Sequence, residues 1–94
     1  MINTDAKLTA HPDVLFAQLK NGNAVLLHLG TKSYFSLNPT GAIMWQGIAQ
    51  GKTLAEVSQD LTQKFDVTSD RAASSVLQLA DQLVGTELMR VEGA

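Results

Sequence analysis

Cysteine is absent from this sequence, which excludes disulfides, thiolate nucleophiles, zinc–thiolate sites and iron–sulfur clusters within the chain and leaves its redox compartment open. An excess of positive charge is also missing. The formal balance is −2, so the chain sets up no field that condenses on phosphates, and nucleic acid is disfavoured as a partner. No stretch approaches the roughly 18 consecutive apolar residues of a membrane span, and Met1 to Lys7 carry no apolar core behind a basic start. The expectation is a soluble, cytoplasmic protein without a membrane segment. Histidine occurs only as His11 and His28, neither beside a carboxylate pair at ligand spacing, so no metal site is expected. The sequence also lacks a Gly-x-Ser-x-Gly elbow, a phosphate-cradling glycine loop and paired carboxylates that read as buried. With no catalytic residue and no cofactor site in view, the chain reads as a non-enzyme. Its 94 residues suit one core rather than a deep cleft between lobes, which favours a binding module.

The most informative stretch is Ser33 to Trp45, where apolar spacing changes from alternation to helical periodicity. Ser33, Phe35 and Leu37 share one side of an extended segment, with Tyr34 and Ser36 on the other. Asn38 then caps a helix that begins at Pro39, where a missing N–H costs nothing, and Ile43, Met44 and Trp45 supply its buried side. Gly41 leaves room for the Trp45 ring. Upstream, Val14 to Lys20 and Ala24 to Leu29 read as two strands joined at Asn21-Gly22-Asn23, and Gly30-Thr31-Lys32 turns the chain into the third. Ala24 to Leu29 is the middle strand of this meander. Met1 to Asp13 reads as a mobile lead-in outside the core.

Downstream, the first helix runs to about Gln50 with Gly51 as its left-handed stop. Thr53-Leu54-Ala55-Glu56 is a capping box for a second helix through Leu54, Val57, Leu61 and Phe65. A third helix, capped by Thr68 or Ser69, continues to about Val84 and stops at Gly85, with a short strand possible in Glu87 to Val91. The fold class is therefore α+β and winged-helix-like, an N-terminal three-stranded antiparallel sheet followed by a three-helix bundle. Two apolar ribs mark the third helix: Ala72, Val76, Leu79 and Leu83 form one, and Ala73, Leu77, Ala80 and Val84 the other. Together they span an arc about 160 degrees wide, more than packing on a single core requires. Either the first helix or the sheet covers both ribs, or the second is a binding surface.

The third strand adds to that surplus. Edge strands are normally guarded by charge, proline or a bulge, and Ser33 to Leu37 shows none of these. If the second rib lies beside this edge, an extended peptide can pair with the strand and drop apolar side chains between strand and helix. The three-strand, three-helix inventory also fits a winged-helix DNA-binding or regulatory domain, although Arg71 is the only basic residue of the third helix. Self-association through the open edge, giving a homodimer, is a further reading.

These residues resemble the PqqD-like domains, the recognition elements for precursors of ribosomally synthesised and modified peptides. The resemblance covers about Val14 to Met89. It is carried by Val25-Leu26-Leu27-His28-Leu29, by Tyr34 through Trp45 with its Leu-Asn-x-x-Gly core, by Gly51-Lys52-Thr53 and by Leu77 to Leu88. It implies residues 14–89 as a peptide-binding domain, with 1–13 as a flexible lead-in and 90–94 as a tail. It further implies a non-catalytic chaperone that holds a leader peptide as an extra strand and presents it to a modifying enzyme, such as a radical SAM protein of pyrroloquinoline quinone (PQQ) synthesis or a leader peptidase of lasso-peptide synthesis. On this resemblance Ser33, Tyr34, Phe35 and Ser36 are the pairing edge, and Ala73, Val76, Leu77, Ala80, Asp81 and Val84 the groove wall. The turn Thr31-Lys32 and strand Ser33-Tyr34-Phe35 are more similar to the lasso-peptide and general members than to the dedicated PQQ protein.

Overall fold

The computed structural model describes residues 6–92. Its order is β1 (Leu8–Ala10), β2 (Val14–Gln18), β3 (Ala24–His28), β4 (Ser33–Leu37), α1 (Pro39–Ala49), α2 (Leu54–Lys64), α3 (Ser69–Gly85) and β5 (Met89–Val91). Strands β2, β3 and β4 form the antiparallel meander with β3 in the middle, and β1 pairs with β5 in a second, two-stranded sheet. The fold is α+β, as the change of periodicity implies. Leu26 lies between Phe16 and Phe35 in register, and Ala24, Leu26 and His28 turn inward and are buried. The opposite face stays open: Leu15, Leu27 and Tyr34 stand side by side across the three strands and are all exposed.

The helices close over the inner face. Asn38 Oδ1 accepts the Gly41 N–H at 2.7 Å, which starts α1 on Pro39. Trp45 and Ile48 then enter the core. A Cβ on Gly41 would meet Asn38 Oδ1 at 3.2 Å and Leu37 Cδ2 at 3.3 Å. The small residue at that position therefore makes room for the strand-to-helix corner, and not for the Trp45 ring as its spacing suggests. Thr53 and Glu56 form the reciprocal capping box of α2, with bonds of 2.9 and 3.1 Å. Thr68 Oγ1 accepts from the Arg71 N–H to start α3.

Two helix ends use the same closing geometry with different residues. After α1, Gly51 takes φ +94°, its N–H donates to Ile48 C=O, and the Lys52 N–H reaches back to Gly47 C=O. After α3 the left-handed position is not Gly85. Glu87 holds φ +62° there, with its N–H on Val84 C=O and the Leu88 N–H on Leu83 C=O. Gly85 is the last helical residue and the closing turn falls beyond it; Leu83 and Leu88 both bury, and that pair sets where the chain folds back.

The expected lead-in departs most from the structure. Of its residues, Met1 to Asp5 lie outside the described region, as do Gly93 and Ala94 of the tail. Leu8 is 2% exposed and belongs to the core. Around it, β1 pairs with β5 from Leu8↔Val91 to Ala10↔Met89, the His11 N–H donates to Leu88 C=O, and the Leu54 N–H donates to Ala6 C=O. The segment is ordered by partners far along the chain, Leu54 in α2 and Leu88 to Val91 at its other end, which no local period can reveal.

Candidate functional site

Backbone alternation identifies the open groups of β4. The Leu29 N–H donates to Asp13 C=O and the Leu19 N–H to Asn23 C=O, so the odd-numbered residues along β3 bond toward β2. Successive residues in a strand point their backbone groups to opposite sides, and Ala24, Leu26 and His28 therefore bond toward β4, opposite Leu37, Phe35 and Ser33. The residues between them, Tyr34 and Ser36, direct their N–H and C=O groups away from the sheet. Since β4 is the last strand in that order, these groups form a free edge. Tyr34 is 73% exposed beside it.

A groove of about 300 Å³ runs between β4 and α3. Phe35, Ser36, Leu37 and Asn38 line one side, and Ser75, Gln78, Leu79 and Gln82 of α3 line the other. Gly41 and Met44 of α1 complete its lining. Of the residues expected at the site, Phe35 and Ser36 are brought to the groove, while Ser33 and Tyr34 stand on the same strand outside its lining.

The α3 residues expected as a wall do not line this groove. Val76 and Ala80 are fully buried, and Ala73, Leu77 and Val84 are half-buried. Asp81 is exposed. None of the six lines the groove. The reason is rotational: Ser75, Gln78 and Gln82 sit about 100 degrees around the helix from the buried rib, and Ala73, Leu77 and Val84 sit about as far on the other side. The surplus rib thus faces away from β4. Leu77 and Val84 pack against the core's margin, so most of that surplus is covered internally. The α3 residues that do line the groove are mainly polar, and hydrophobic periodicity carries no signal for them.

The groove can therefore offer an extended chain two kinds of contact. Tyr34 and Ser36 present main-chain donors and acceptors for a further strand, which bind any sequence alike. Gln78 and Gln82 present amides across the gap, each with two donors and an acceptor oxygen. Among the described residues no cluster of metal-ligating side chains occurs, and no helix is long and apolar enough to cross a membrane.

Residues 23–89 match the family described as Coenzyme PQQ synthesis protein D (PqqD). The chain belongs to the PqqD family. Two solved structures share this PqqD-family fold. One is TbiB1 in complex with the TbiA(beta) leader peptide, with TM-score 0.80 and 26% identity, covering 92% of this chain and 96% of that one. The other is a lasso peptide synthetase B1 complexed with the leader peptide, with TM-score 0.82 and 28% identity, covering 90% and 99%. A gamma-glutamyl phosphate reductase of Magnetococcus marinus (strain ATCC BAA-1437 / JCM 17883 / MC-1) is 36% identical over 66 residues, which are 70% of this chain and 14% of that protein. This PqqD-family chain thus spans about one-seventh of that relative's length.

Proposed function

We propose that this protein binds the leader segment of a ribosomally made precursor peptide, as a further strand on β4, and presents it to a modifying enzyme without catalysing a reaction itself. The observation that carries the reading is the free edge at Tyr34 and Ser36, open beside a groove, in a chain whose fold is shared with two proteins solved with leader peptides. Strand addition draws affinity from main-chain hydrogen bonds and specificity from the side chains that meet the groove. The partner in this reading is a radical SAM protein or a leader peptidase. The contact set is Ser33, Tyr34, Phe35 and Ser36 with Ser75, Gln78, Leu79 and Gln82.

Proline scanning of β4 tests it, because proline removes one N–H and is tolerated where that N–H faces outward. The precursor peptide encoded nearest to this protein is titrated against wild type, Ser36→Ala and Ser36→Pro. Strand addition requires Ser36→Ala to bind like wild type and Ser36→Pro to bind at least about tenfold more weakly, with an unchanged circular dichroism spectrum. Equal affinity for all three would falsify the edge-pairing reading.

A further inference from the structure

A cavity of about 550 Å³ opens where the end of α3 meets β5. It is larger than the groove beside β4, and none of its lining residues belongs to that groove. Val84 comes from α3, on the flank that turns away from β4. His11 comes from the link between β1 and β2, Glu87 from the turn that closes α3, and Met89, Arg90 and Val91 are the whole of β5. Side chains alternate between the two faces of a strand, so a cavity reached by three consecutive strand residues lies along the strand's edge.

That edge is open. The His11 N–H donates to Leu88 C=O and the Glu92 N–H to Lys7 C=O, so the even-numbered residues there bond toward β1. Met89 and Val91 therefore direct their N–H and C=O groups the other way, where no further strand pairs with β5 among the described residues. Opposite charges stand beside these groups: Glu87 and Arg90 are both exposed, and neither has an ion pair among the described residues. Val84 and the buried Met89 supply apolar surface. His11 is held in place, its Nδ1 accepting the Asp13 N–H at 3.0 Å and its ring resting against that of His28 with centroids 4.5 Å apart. The neutral ring then keeps its proton on Nε2 as a free donor. Glu87 holds φ +62°, so the chain puts a carboxylate beside the cavity at a position where glycine closes a helix with less strain.

We propose that this cavity binds a zwitterionic peptide of two or three residues with apolar side chains. Its volume falls within the roughly 300–1,000 Å³ of small-molecule sites. The ligand's amide pairs with Met89 and Val91, its carboxylate meets Arg90 and the His11 donor, its ammonium meets Glu87, and its side chains cover Val84 and Met89. A free amino acid has no peptide group to offer the edge. A long chain holds its two terminal charges too far apart, at about 3.3 Å per extended residue, to meet Glu87 and Arg90 together. A ligand with one charge leaves one of those side chains without a partner, and that sets the selectivity. Peptide-bond hydrolysis is the class of reaction that supplies such a ligand. The site shares no residue with the β4 edge and does not depend on the strand-addition reading.

The experiment follows the amide NMR signals of the isotope-labelled full chain during titration to millimolar concentration with leucyl-leucine, valyl-phenylalanine and phenylalanyl-leucine. Each is used free, N-acetylated and C-terminally amidated, on wild type, Glu87→Gln, Arg90→Gln and Ser36→Pro. The first two variants change exposed side chains, and circular dichroism checks that they fold. At least one free dipeptide is expected to shift Glu87, Met89 and Val91 saturably, and blocking either terminus should weaken binding about tenfold or more. Glu87→Gln should weaken the free and amidated forms and leave the acetylated form unchanged, while Arg90→Gln should weaken the free and acetylated forms and leave the amidated form unchanged. Ser36→Pro should bind like wild type. If no free dipeptide shifts those amides, if blocked forms bind as tightly as free ones, or if each variant weakens all forms alike, the site is wrong and strand addition is untouched. If Ser36→Pro loses the dipeptides, they bind at the β4 edge, which overturns this site and supports strand addition.

Discussion

The Nδ1 atom of His28 accepts the N–H of Gly30 at 3.1 Å. The same atom lies 3.3 Å from the Thr31 N–H, so one buried imidazole closes the turn that launches β4. An accepting Nδ1 leaves the neutral ring's proton on Nε2. This is a structural role for a histidine whose position on the inward face of a strand gives no hint of it.

Replacing His28 with Ala removes the acceptor and a buried ring, and should destabilise the domain by about 1–3 kcal/mol in urea unfolding. A Cβ on Gly30 would meet His28 Cε1 at 3.0 Å and Nδ1 at 3.3 Å, so Gly30→Ala should displace the same ring. The double variant is then less damaging than the sum of the two. Strictly additive losses would show that the two positions act separately.

The two helix stops make opposite predictions. Gly51 and Glu87 both adopt left-handed backbone, where only glycine is free of a Cβ penalty. Gly51→Ala should cost about 1 kcal/mol, and Glu87→Gly should gain up to about 1 kcal/mol. A Cβ at Gly51 would meet nothing within 4 Å, so the first effect is conformational rather than steric. Thermal denaturation measures both, and a destabilised Glu87→Gly would point to a role for that side chain beyond the turn.

Leu8 should be as costly to truncate as a central core residue. It is 2% exposed and faces Val91 across the short sheet. Leu8→Ala is expected to lose about 2–5 kcal/mol, and the amides of Arg90 and Val91 should lose hydrogen-exchange protection with it. A loss no larger than that of an exposed position would mean the β1–β5 ladder is dispensable.

Acid acts on the start of α2. The backbone N–H of Thr53, and after it the Thr53 hydroxyl, hold the Glu56 carboxyl below its ordinary value of 4.5. A depressed folded-state value means that the carboxylate's stabilisation is present above 4.5 and is lost as pH falls through the folded value. An NMR titration of Glu56 should therefore show a midpoint below 4.5. Glu56→Gln should lose its stability deficit relative to wild type across that range. A deficit independent of pH down to about pH 3 would contradict the coupling.

The legibility of this fold followed the range of the interactions that build it. Asn38, Thr53 and Gly51 act within a few residues of themselves, and their roles were readable from neighbours alone. The middle position of β3 was readable from its unbroken apolar run. Leu8 was not, because its partner Val91 lies at the other end of the chain. On α3 the buried rib of Ala72, Val76, Leu79 and Leu83 was readable from its period, but the flank that meets β4 was not. Which flank meets β4 depends on how α3 docks, and the polar Gln78 and Gln82 leave no trace in a hydrophobic pattern. The edge was legible as an unguarded strand, yet assigning its open groups to Tyr34 and Ser36 needed the bonds of Leu29 and Leu19 on the far side of the sheet.

The pairing of Leu8 with Val91 also fixes how the domain answers to load. Chain entering before β1 and chain leaving after β5 emerge at the same end of one antiparallel ladder. Tension applied through those flanks peels the ladder in succession, from the Glu92 N–H to Lys7 C=O bond first to the His11 N–H to Leu88 C=O bond last, instead of loading the bonds all at once in shear. Tugging on both ends should open the short sheet at low force and uncover the core at Leu8, while the distant β4 edge is still intact.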